Sequence, residues 1–194
     1  EYPWILRKPV YVTFVSASSA LYKVESVLKC LGNRLFIDEF FGYWDDNVLG
    51  LMLWNCGYRL IVIPEIIASH VGGLTFRRIG NLTFYLNERN RTALTLITNS
   101  RYRHLIPPYV LKNTTISAMR VKFLESKIVV RALVDGIKLG NKLRSKGFFI
   151  DIYKAPLIKV PLRHIGLHLT AVRRSIRKYC EGWVVRNLSF LTVE

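Results

Sequence analysis

The chain has 194 residues, 51% hydrophobic and 22% charged. That is too apolar for a disordered tail and long enough for one domain with a substantial core. Lys and Arg number 29 against 13 Asp and Glu, a net charge of +16, which excludes an ordinary neutral surface and calls for an anionic partner: nucleic acid, phospholipid or a phosphorylated substrate.

Residues 10–15 (VYVTFV) are β-branched and aromatic, a strand. Residues 24–31 read as a short helix stopped by Gly32. Asp45, Asp46 and Asn47 are N-cap types, and a helix over 48–56 follows, ended by Gly57. Short strands at 60–63 and 66–69 flank Pro64, and Gly72-Gly73 opens a loop to about Gly80. Helices are predicted over 82–98, over 115–146 with Gly147 as the stop, and over 162–179.

Charge divides the chain. Ten basic and eight acidic residues fall in 1–100, a net of +2; the other 19 and five fall in 101–194, a net of +14. The shift lies near Pro107-Pro108, the strongest local helix breaker. Cys30, Cys56 and Cys180 are odd in number, widely spaced and without a CxxC, so neither a disulfide framework nor a zinc ribbon is expected. Glu1 stands first and Met occurs only at 52 and 119, which suggests a piece of a longer product or a processed one. Pro3, Arg7, Lys8 and Pro9 interrupt any signal peptide, and no membrane-spanning stretch is free of charge.

The chemistry-bearing segment is 36–59, FIDEFFGYWDDNVLGLMLWNCGYR. It sets Asp45 and Asp46 at a helix start, after Phe40, Phe41, Tyr43 and Trp44. The pair fits a helix cap beside an aromatic cluster. It also fits a general base next to an aromatic platform for a sugar ring. A helix N-terminus stabilises one ionised carboxylate, and like-charge repulsion pushes the other pKa upward. His70, after a strand and before Val71-Gly72-Gly73, is either a satisfied structural residue or a neutral imidazole ligand that needs partners.

In order, Ile37-Asp38-Glu39-Phe40-Phe41, Tyr43-Trp44-Asp45-Asp46, Gly57-Tyr58-Arg59, Pro64, His70-Val71-Gly72-Gly73, Tyr85 and Arg89-Asn90 resemble the second half of a family-2 glycosyltransferase. The closest flavour is that of rhamnosyl- and galactofuranosyltransferase-like members. The resemblance spans roughly residues 10–100 and implies an α/β fold: the C-terminal half of a GT-A, Rossmann-like domain, followed by a mainly α-helical cationic extension. Residues 1–100 would be the acceptor-side part and 101–194 a basic, membrane-associating extension. By the same resemblance Asp46 is the catalytic base and Asp45 binds acceptor hydroxyls or places the base. Tyr43 and Trp44 line the acceptor site, and His70 completes a divalent metal site (Mg or Mn). Arg77 and Arg78 belong to a lid over the donor phosphates.

The activity implied is inverting transfer from a nucleotide-sugar donor to a hydroxyl of a glycan or lipid-linked, cell-envelope acceptor. Two departures stand out. Asn47-Val48-Leu49 follows the acidic pair where the family often has a later acid, and no Asp-x-Asp occurs. The nucleotide-binding half is therefore absent, and transfer is expected only with a separate chain or segment that supplies it. The location expected is peripheral, on the cytoplasmic face of a membrane.

Within 115–146, Arg120, Lys127, Arg131, Lys138 and Lys142 recur at spacings that put them on one stripe of a helix otherwise apolar. Such a helix either packs in a core with a solvated edge or lies in a membrane interface, where anionic lipid favours each nearby cation. Arg173, Arg174, Arg177 and Lys178 extend the basic surface. His164 and His168 are spaced i,i+4 without an acidic partner, and Asn81, Asn113 and Asn187 open short sequons that occur often by chance. Two other readings are a basic nucleic-acid-binding module and a non-catalytic transferase remnant that docks on another subunit. Nucleic acid is disfavoured, since there is no RNP motif, zinc finger or helix-turn-helix pattern.

Overall fold

The structure is a computed structural model that describes residues 7–32, 34–71, 80–105, 123–161 and 172–187, with the single positions 108, 115, 191 and 193. Strand β1 (Val10–Tyr11) pairs antiparallel with β2 (Ile61–Val62), Val10 opposite Val62. The β-branched run predicted as a strand over 10–15 pairs only at its beginning. The Val12 N–H still reaches the Leu60 carbonyl at 3.0 Å, and then the chain turns onto helix α2 (Asp45–Asn55). The fit there is close: a Cβ on Gly50 would stand 2.5 Å from that of Phe14. The Trp54 indole donates to the Val12 carbonyl at 2.9 Å, so α2 takes the place of a second strand partner. The second short strand predicted at 66–69 does not form, and residues 63–71 are irregular and exposed.

Helix α1 (Val24–Leu31) has the predicted bounds, and Gly32 ends it at φ 70°. Cys30 near its end is disulfide-bonded to Cys56 just after α2, with Cα atoms 5.8 Å apart. This corrects the expectation drawn from cysteine spacing. Twenty-six residues separate the two thiols in sequence, and only the antiparallel return of the chain brings them together.

Helix α3 (Gly80–Ile97) packs along α4 (Phe123–Ser145). Two glycines of α4 set the approach. A Cβ on Gly136 would lie 2.5 Å from the Arg89 carbonyl oxygen, and one on Gly140 would lie 2.8 Å from Leu96 Cβ. Helix α5 (Val172–Arg186) runs past the predicted end at 179. The first residues of that predicted helix, 162–171, lie outside the described residues, as do 116–122 of the one before it.

The core crosses residue 100. Val27, Ile37, Phe40, Leu49 and Leu53 are buried in one cluster with Leu143, Ile150 and Ala155. Side-chain amides fasten that junction. Asn55 Oδ1 accepts from the Asp151 N–H at 2.9 Å, and Asn99 Nδ2 donates to the Asp151 carboxylate at 2.7 Å. Among the described residues the architecture is five α-helices with one two-stranded antiparallel sheet. The parallel, Rossmann-like sheet expected from the resemblance is not present among them. None of the described helices is long and apolar enough to cross a membrane.

Candidate active site

The acidic pair sits at the end of an unusual turn. Ile37 and Phe40 are buried and anchor a short 3-10 segment, Asp38–Phe40. The next four residues all have positive φ: Phe41 61°, Gly42 139°, Tyr43 63° and Trp44 67°. Three of them carry side chains, and each such residue costs roughly 1 to 2 kcal/mol in the left-handed region. Something must hold them there.

Helix α3 supplies the hold. Asn90 is fully buried, and its Nδ2 donates to the carbonyls of Phe40 (2.9 Å), Gly42 (2.7 Å) and Tyr43 (2.9 Å). Its Oδ1 accepts from Arg89 Nε at 2.8 Å, which fixes the orientation of the amide. Arg89 Nη2 donates in turn to the carbonyls of Glu39 and Phe40 at 2.9 and 2.8 Å. Helix α4 adds an ion pair from outside. Lys146 lies 2.6 Å and Lys142 3.5 Å from Glu39 Oε1. The hydrogen bond from Lys146, helped by both ammonium charges, holds the Glu39 carboxyl down at about 2.

Released from this turn, the chain enters α2 at Asp45, with Trp44 as the N-cap residue. Sequence reasoning placed the cap among Asp45, Asp46 and Asn47; these form the first turn instead, because the left-handed turn ends one residue earlier. Asp46 is half-buried. Burial raises its pKa, the Asp45 charge adds to the rise, and the N–H groups of Asn47 (2.8 Å) and Ala17 oppose it. The like-charge effect foreseen for the pair is thus present, but desolvation is the larger cause. Tyr43 and Trp44 are half-buried beside the pair.

Tyr22 belongs to the same neighbourhood and was not singled out in the sequence. Burial raises its pKa, and the charges of Asp46 and Asp45 raise it further. Its hydroxyl is buried and has no hydrogen-bond partner among the described residues. Tyr22 also forms one wall of a half-open cavity of about 190 Å³ with Lys23, Ser26, Leu53, Tyr58 and Arg59. Neither the acidic pair nor Tyr43, Trp44 or His70 lines that cavity.

His70 is exposed in the irregular stretch after β2. Among the described residues no three His, Cys, Asp or Glu side chains come together as a metal site. His70 is therefore a single ligand candidate, and no chemical step is derived through a metal. Arg77 and Arg78, expected in the phosphate lid, lie outside the described residues, as do His164 and His168. What the structure brings together is the acidic pair, Tyr43, Trp44 and Tyr22, with Arg89 and Asn90 behind them. Arg89-Asn90 was legible in sequence only as a motif. No family model, curated protein or solved structure matches the chain.

Proposed function

We propose that this chain is the acceptor-side part of an inverting glycosyltransferase, with Asp46 as the base. The observation that carries the reading is the state of Asp46: a half-buried carboxylate with a raised pKa, in the first turn of a helix, directly after Tyr43-Trp44. A raised pKa makes a carboxylate a better proton acceptor while leaving it ionised near neutrality. The aromatic pair offers faces for a sugar ring. In the reaction Asp46 takes the proton of an acceptor hydroxyl, and the freed oxygen attacks the anomeric carbon of the donor sugar. The bond to the nucleoside diphosphate breaks through an oxocarbenium-like transition state. One displacement inverts the configuration.

The donor is a nucleotide sugar and the acceptor a glycan or lipid-linked saccharide. The nucleotide-binding half comes from outside residues 1–194. The reading also includes a divalent cation, Mg or Mn, on the donor diphosphate; His70 is the one ligand offered here. Binding of saccharides to the chain tests the acceptor half directly, by intrinsic tryptophan fluorescence against a panel of cell-envelope glycans. At least one glycan class should bind, and Trp44→Ala should weaken it by about tenfold or more. A nucleotide sugar should bind far more weakly than to a complete transferase. Tight nucleotide-sugar binding with no glycan binding would reverse the assignment.

A basic nucleic-acid module remains the second reading on charge alone, since the net charge of +16 suits a phosphate backbone. It gives no use to the strained turn or to the burial of Asp46.

A further inference from the structure

Helix α4 presents two different outward stripes. At roughly 100° per residue, Lys127, Arg131, Lys138 and Lys142 fall within about 60° of one another. All four are exposed. Beside them, on the adjoining sector, lie Val130, Val134 and Ile137, exposed by 46%, 43% and 40%. The opposite side is buried: Val129, Ala132, Gly136, Gly140 and Leu143 face the body of the protein. The core thus uses one side of α4, and the apolar residues on the outer side take no part in it.

The charge is equally one-sided. Between Lys127 and Lys146 the helix has six cations and a single acid, Asp135, a net of +5. Arg131 stands 3.6 Å from Asp135, yet its side chain is 79% exposed; Lys142 approaches Glu39 and is 57% exposed. Both keep most of their surface for another partner.

We infer that this outer face of α4 is a docking surface for an anionic lipid bilayer. Val130, Val134 and Ile137 sink into the headgroup boundary, and the cationic stripe beside them meets the lipid phosphates. A nucleic acid would satisfy the cations and leave the valines and the isoleucine in water. An anionic bilayer satisfies both stripes at once, and that is the chemical reason for the choice. The contact is independent of the chemistry at Asp46, so either can fail without the other.

The test is flotation of the whole chain with neutral phosphatidylcholine vesicles and with vesicles containing a third phosphatidylserine. Anionic vesicles should bind at least about tenfold more protein, and added salt should weaken the binding. Lys127→Glu with Lys138→Glu should cut the partition about tenfold or more, and Val134→Ser with Ile137→Ser should cut it several-fold at unchanged charge. Circular dichroism of each variant establishes that α4 still folds. Equal binding to both vesicle types, or anionic binding that survives both pairs of substitutions, would overturn the proposal. So would binding of duplex DNA through the same lysines with no vesicle binding.

Discussion

Asn90 does more for the candidate site than any residue with obvious chemistry. Its amide holds three carbonyls of a turn that would not stay left-handed alone. Asn90→Ala should cost roughly 2 to 4 kcal/mol, because it strands buried acceptors. Asn90→Asp should be as damaging, since a carboxylate cannot donate to them. Urea denaturation reads both, and Asn90→Asp at wild-type stability would refute the clamp. Two carboxyls of this region should respond to pH with opposite sign. Glu39 is lowered from 4.5 to about 2, so its contribution is present above about pH 4.5 and fades as pH falls toward 2. Its lysine partners are about half exposed, which limits that contribution to roughly 1 kcal/mol. Asp46 is raised, so the folded state holds its proton more tightly, and stability falls as pH climbs through its titration. Stability curves for Glu39→Gln should lose the acid-side decline, whereas Asp46→Asn should be the more stable protein at pH 7. Curves parallel to wild type would remove both assignments.

The elements that sequence reveals are those decided within a few residues. Helix α1 is such a case: its apolar spacing and Gly32 fix both ends locally. The strand over 10–15 was over-read, because a β-branched run reports propensity and not whether a partner strand runs beside it. The start of α2 was misplaced by a similar gap. Asp45 and Asp46 look like caps, but the turn before them is imposed by Asn90, which is far away in sequence. For α4 the apolar periodicity was legible, while the face that is buried was not. Gly136 marks that face. Gly136→Ala should push α4 off α3 and cost about 1 to 3 kcal/mol by thermal denaturation, despite the better helix propensity of alanine. A neutral or stabilising change would mean that the helices are not in such close contact.

At the scale of the whole molecule, residues from both halves share one core, and the disulfide closes the first half upon itself. The covalent link restricts the unfolded chain, a stabilisation of about 3 kcal/mol for a loop of this length. Thiol titration in denaturant without reductant should find one cysteine, Cys180, and three after reduction. Three thiols at the outset, in protein kept from air oxidation in its own compartment, would show that the link is not made there. One would point to an oxidising compartment, against the cytoplasmic face expected from the resemblance. Charge and an acidic pair were legible in sequence at this scale. The cysteine pairing, the clamp and the buried hydroxyl of Tyr22 were not, because each depends on long-range return of the chain.

Sugar transfer by the assembly that carries both this chain and a nucleotide-binding half is the most direct test of the role given to Asp46. With Asp46→Asn, kcat should fall by about 10² to 10⁴ while acceptor binding is retained, as expected when a base is removed and the platform stays. Transfer that persists near the wild-type rate in that variant would contradict the account.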